Sequence, residues 1–153
     1  MSGRTACLCA AALAVVAGAA AGIVVLAAGG KSSGTPVQYL TRASAVCRVF
    51  ARKLDRVPPP DLGSTKDVAS RVGQALPILE QQAEAVRRIR VPRELEQRVR
   101  VFFQRTDRSL RALAAVLDAA RRDDAKTMGP RLGVWLEASD AAQSASKQVG
   151  YTC

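Results

Sequence analysis

No histidine occurs in these 153 residues, and aromatic side chains make up only 4% of them. The first absence removes Ser-His-Asp and Cys-His catalysis and most zinc and haem sites. The second means that any core must be built mostly from Ala, Leu and Val. No stretch alternates apolar and polar residues with period two, so no strands are expected. A Gly-rich phosphate loop is also missing. Positive charge is what abounds: 23 Lys and Arg stand against 13 Asp and Glu, a net charge of +10. That balance points to an anionic partner such as nucleic acid, lipid headgroups or an acidic polymer. The length supports one modest domain.

Ala6 to Ala28 carries no charge, with Arg4 before it and Lys31 after it. As a helix this stretch spans about 34 Å, enough to cross a bilayer core. Residues 1–30 are therefore read as a signal-anchor or transmembrane segment. The alternative is a cleaved signal, cut after Ala17-Gly18-Ala19 or Val25-Leu26-Ala27, with the rest secreted. The first cut would leave Ile23-Val24-Val25-Leu26 on the mature N-terminus, which favours the anchor. Gly18 and Gly22 form a GxxxG pattern that permits helix pairing, although small residues recur throughout this stretch. Cys7 and Cys9 offer too few ligands for a metal and read as apolar residues near the inner face. The positive-inside count is ambiguous, because Lys31, Arg42 and Arg48 also lie just past the span.

Residues 31–35 form a short linker, and 36–153 read as a bundle of four helices. Thr35, Pro36 and Gln38 supply a cap, a first-turn proline and the reciprocal partner of a capping box. The apolar stripe Leu40, Ala43, Cys47, Phe50, Leu54, Val57 follows and ends at Pro58-Pro59-Pro60. Ser64 opens a second helix with the stripe Val68, Val72, Ala75, Leu79, Ala83, Val86 and an internal Pro77 expected to kink it. Pro92 suits the start of a third helix, on which Leu95, Val99, Phe102, Thr106, Ser109, Leu113, Val116 and Ala120 share a face. After the turn at Arg121 to Asp124, a fourth carries Met128, Leu132, Trp135, Ser139, Ala142, Ser146 and Val149, with Gly150 as its C-terminal cap. Ala138, Ser139, Ala142, Ala145 and Ser146 should let it approach a neighbour closely. The expected fold class is all-α: an antiparallel up-down four-helix bundle preceded by one N-terminal transmembrane or signal helix.

Such a bundle returns its last helix to the end where the first began. Cys47 lies about 16 Å up the first helix, and Gly150-Tyr151-Thr152-Cys153 can fold back toward it. A Cys47–Cys153 disulfide would close a loop of about 100 residues or more and needs an oxidising compartment, which places the domain outside the cell. The bland alternative is two unrelated thiols.

Ala43-x-x-x-Cys47, Pro58-Pro59-Pro60, Leu76-Pro77-Ile78-Leu79-Glu80, Val91 to Leu95 (VPREL) and Val149 to Cys153 (VGYTC) occur in that order. Over roughly residues 38–153 the chain resembles small exported or membrane-tethered helical proteins of high-G+C Gram-positive bacteria. Many of those begin with a lipobox, which this chain lacks. The resemblance implies the helical fold and says nothing of an activity.

Chemistry-bearing motifs are sparse. Ser144-Ala145-Ser146-Lys147 matches SxxK, but the chain has no SDN or KTG companions and is too short for that fold. Carboxylate pairs at Glu80/Glu84, Glu94/Glu96 and Asp123/Asp124 are ordinary on helix surfaces. No catalytic residue, metal or cofactor is expected. Six acids precede an arginine by four residues: Asp67–Arg71, Glu84–Arg88, Glu94–Arg98, Glu96–Arg100, Asp107–Arg111 and Asp118–Arg122. Arg87, Arg88, Arg90 and Arg93 instead crowd one turn, which would face the membrane and contact anionic lipid or a cell-wall polymer. The functional expectation is a non-enzymatic, membrane-anchored binding or scaffolding protein with an envelope partner. The alternative is a basic nucleic-acid-binding helical protein, against which stand the interleaved acids and the export segment.

Overall fold

Thr35 accepts the Gln38 amide on its hydroxyl while Gln38 accepts the Thr35 amide, the reciprocal cap the sequence implies. It opens the first helix of a computed structural model that describes residues 34 to 152. The elements are α1 (Pro36–Leu54), α2 (Thr65–Arg87), a single 3-10 turn (Arg93–Leu95), α3 (Glu96–Arg121) and α4 (Ala125–Val149). The described residues are thus all-helical apart from their connections. The Ala6–Ala28 segment and Cys153 lie outside them. Among the described residues no helix is long and apolar enough to cross a membrane.

Each boundary has a local cause. Ser64 caps α2 through the Asp67 amide. Asp124 caps α4 through Thr127, whose side-chain and backbone hydrogen bonds hold the Asp124 carboxyl below its ordinary range. Gly150 ends α4 at φ 93°, where a Cβ would be strained. Asp123 also takes a positive φ, 57°, which a short polar side chain tolerates, and it accepts a hydrogen bond from the Thr65 hydroxyl across the top of the bundle.

Two boundaries differ from the sequence reading. α1 stops at Leu54, short of the prolines, because Arg56 and Val57 tighten to the carbonyls of Lys53 and Leu54; Pro58 in turn disfavours helical backbone at Val57. Pro92 precedes a 3-10 turn instead of starting α3 directly. Pro77 sits exposed within α2, which runs unbroken as helix from Thr65 to Arg87.

Consecutive helices are antiparallel. Arg98 near the start of α3 donates to the Gln148 carbonyl at the end of α4, and Arg131 near the start of α4 donates to the Ala115 carbonyl late in α3. α4 packs along α3 as the most extensive seam, followed by α2 on α3 and α1 on α2. α1 and α4 share no comparable seam among the described residues. They meet at one end, where Tyr39 and Tyr151 hydroxyls are hydrogen-bonded and Leu40 lies against Gly150.

The core divides accordingly. An upper cluster joins α2, α3 and α4 through Val68, Val72, Leu76, Leu113, Val116, Leu117 and Met128. A lower one gathers Tyr39, Leu95, Val99 and Val149, with Phe102, Phe103 and Tyr151 packed on it. The second half of α1 contributes to neither.

Candidate ligand cavity

Between these clusters the four helices line a cavity of about 490 Å³ that is partly open to solvent. Its walls come from every helix: Cys47 and Leu54 of α1, Leu79 of α2, Leu110 of α3, Trp135 and Ala142 of α4. Small side chains explain the space. Positions 138 and 145 of α4 are buried alanines, while Ser139, Ala142 and Ser146 on the adjoining stripe line the cavity. The small residues expected to bring α4 close to a neighbour therefore do two jobs on two faces. Aromatic residues that would have filled the middle are scarce, and four of them (Tyr39, Phe102, Phe103, Tyr151) are drawn to the lower end.

Val57, Pro58, Pro60 and Leu62 from the α1–α2 connection also line the cavity. Leu62 and Leu136 are exposed. Among the described residues Arg71 is the only charged side chain on its wall. Its Nε is buried without a hydrogen-bond partner, although Asp67 Oδ1 lies 3.3 Å away as an ion pair.

At the lower end the C-terminal residues fold back on α1. Phe102 and Tyr151 meet edge to face with centroids 4.8 Å apart. Ser44 and Thr152 hydroxyls lie 3.4 Å apart. Ser44 is one turn from Cys47 on α1; Cys153, which follows Thr152 in sequence, lies outside the described residues, and so does the expected pairing. Cys47 itself is buried, accepts a hydrogen bond from the Gln82 amide at 3.0 Å, and is not an unpartnered thiol.

Burial raises both tyrosine hydroxyls above the usual phenol value of 10.0; for Tyr151 the Tyr39 hydrogen bond adds to the rise, for Tyr39 it offsets part of it. The folded state thus keeps protons that the unfolded chain releases above pH about 10. Stability from this pair is fully present below that pH and should be lost as pH rises through and beyond it. Urea midpoints measured from neutral to strongly alkaline pH should drop more steeply for the native chain than for a Tyr39→Phe/Tyr151→Phe variant. Parallel curves would mean the pair does not contribute.

The arginine turn is dispersed on inspection. Arg87 pairs with Asp107 and lies 4.9 Å over the Phe103 ring, so it belongs to the α2–α3 seam. Arg88 reaches Glu84 at 3.5 Å. Arg90 and Arg93 are exposed at the α2–α3 connection. Of the six acid–arginine pairs at four-residue spacing, Asp67–Arg71, Glu84–Arg88 and Asp118–Arg122 form. Asp107 turns to Arg87 across the helix interface, and the 3-10 turn at Arg93–Leu95 shifts Glu94 off the face that carries Arg98. A second depression of about 400 Å³ between α2 and α3 is lined by Glu80, Glu84, Arg87, Asp107 and Arg111, and its acids and bases largely answer one another. Among the described residues no group of three His, Cys, Asp or Glu could hold a metal ion.

Sequence reasoning missed Tyr39 and Arg71 as parts of this arrangement. Tyr39, at 1% exposure, is among the three most completely buried large side chains. Its four-residue spacing to Ala43 and Cys47 was the available signal, masked by Leu40 beside it. No family model matches the chain, and no curated protein or solved structure is significantly similar to it.

Proposed function

We propose that this chain is a non-enzymatic binding protein of the cell envelope, held to the membrane by residues 1–30 and exposing its helical domain on the outer side. The observation that carries the binding role is the apolar cavity of about 490 Å³, within the 300–1,000 Å³ range of small-molecule sites. A purely structural bundle of this size gains stability by filling such space. Here the chain places alanine and serine along it on α2, α3 and α4.

Export is supported by the uncharged Ala6–Ala28 segment and by the approach of Thr152 to the face of α1 that bears Cys47. A Cys47–Cys153 disulfide is the covalent part of this reading. It would tie α1 to the chain just past α4, where among the described residues Tyr39 and Ser44 already meet Tyr151 and Thr152. The motif resemblance to small exported helical proteins agrees with the same topology. Arg90 and Arg93, exposed on the connection that ends beside the N-terminus of α1, supply a basic edge for anionic lipid or wall polymer, with Arg88 extending it.

Fractionation tests the placement. Cells producing the full chain with a C-terminal tag should carry it in the membrane pellet after a high-salt wash, and protease added to intact spheroplasts should remove the tag. A tag that is protease-protected, or a protein recovered in the cytosol, would overturn the outward-facing anchor.

A further inference from the structure

We infer that the cavity takes a single-chain amphiphile with one negative charge, a long-chain carboxylate, its headgroup at Arg71 and its tail running down between α2, α3 and α4. The inference rests on the binding reading above and adds the chemical class of ligand. Three observations carry it.

The first is shape. The α4 residues that line the cavity run from Leu132 to Ser146, about 21 Å along a helix axis at about 1.5 Å per residue. One acyl chain covers about 15 Å in its leaflet of a roughly 30 Å hydrocarbon core. The space is therefore long enough for one extended chain and far too narrow in volume for a folded protein segment.

The second is the lining. Leu79, Leu110, Leu113, Leu132 and Trp135 present hydrocarbon or ring surface along the length, and among the described residues no acidic side chain lines the wall. An apolar tail gains about 0.8 kcal/mol per buried methylene there.

The third is the polar end. Among the described residues Arg71 is the only charge on the wall; its Nε faces Asp67 Oδ1 at 3.3 Å, which leaves the Nη donors of the guanidinium for a ligand. Asp67 answers the Nε side through Oδ1, while its Oδ2 accepts from the Asp61 amide at 2.7 Å. Arg121, whose guanidinium lies over Gly73 on the same stretch of α2, adds a second guanidinium near this end. A guanidinium has five donors in a fork that fits a carboxylate. A doubly charged phosphate would leave one charge unmet beside leucines, which is costly.

Trp135 is the only tryptophan and lies on the wall, so it reports occupancy directly. The full chain, reconstituted in phosphatidylcholine nanodiscs, is titrated with palmitate brominated in mid-chain, a contact quencher of indole fluorescence. Saturable quenching is expected, reversed by unlabelled palmitate and abolished by Ala142→Phe. Arg71→Gln should weaken palmitate about tenfold, the loss of one charge-assisted hydrogen bond, and leave displacement by hexadecanol unchanged. That contrast holds even if the phenylalanine variant fails to fold. If brominated hexadecane quenches saturably but palmitate does not displace it, or Arg71→Gln treats acid and alcohol alike, the carboxylate assignment is wrong and the binding reading survives. Stronger displacement by lysophosphatidic acid than by palmitate would also overturn the carboxylate. Absence of saturable quenching by either brominated probe would overturn both readings.

Discussion

Cys153→Ser should lower the free energy of unfolding by about 4–5 kcal/mol, the value that chain entropy assigns to a loop of about 100 residues. The size of the effect follows from topology. Nearly the whole helical domain lies between Cys47 and Cys153, so the proposed bridge would remove more disorder from the unfolded chain than any local link could. The folded state adds a second reason: among the described residues α1 has no extensive seam with α4 and meets residues 150–152 at its lower end through Tyr39, Leu40 and Ser44. Urea titration of the full chain with and without reductant should move the midpoint strongly. Maleimide labelling of denatured, unreduced protein should modify Cys7 and Cys9 and spare the other two. Four labelled thiols before reduction would sink the bridge.

Tyr39→Ala is expected to cost about 3–5 kcal/mol, in the range for large aromatic side chains removed from a core. Tyr39 is 1% exposed and packs with Leu95, Val99 and Val149, elements that lie far from it in sequence. The upper cluster draws nothing from α1, and beside Tyr39 only the partly buried Leu40 of that helix packs on the lower one. Hydrogen exchange should show residues 36–54 losing protection first while α3 and α4 keep theirs. Tyr39→Phe, which removes only the hydroxyl bonded to Tyr151, should cost about 1 kcal/mol. Because both act on the same contact of α1 with the C-terminal residues, Tyr39→Ala and Cys153→Ser should be non-additive. Additive losses would mean that the tyrosine and the bridge secure α1 independently.

How much of this was legible beforehand depends on how local each cause is. The caps at Thr35 and Ser64 and the αL end at Gly150 involve residues within four positions of one another, and each formed where the residue types require it. The stripes were legible only to within one helical position. Tyr39 is buried where Leu40 was expected to point inward, and Leu76 where Ala75 and Leu79 were. A stripe gives the mean direction of an apolar face, and adjacent positions differ by about 100° around the axis. Which neighbour turns inward is decided by the helix packed opposite. The ion pairs behaved likewise: a four-residue spacing permits a pair, but Asp107 found a partner on another helix.

By itself the sequence determined the four α-helices among the described residues, the caps at Thr35, Ser64 and Gly150, the all-α class and the strong positive charge, because each follows from short-range periodicity, backbone chemistry or composition. It also excluded histidine-dependent chemistry outright. Tertiary structure alone decided that the core divides into two clusters and that small residues of α4 serve two faces, one buried and one lining open space. It likewise decided that Arg71 stands as a single charge on an apolar wall. These features depend on side-chain volumes summed across four helices, a quantity no window along one helix contains. The scarcity of aromatic residues now has a consequence: with most of the few available gathered around Tyr39 and Tyr151, the middle of the bundle is left unfilled.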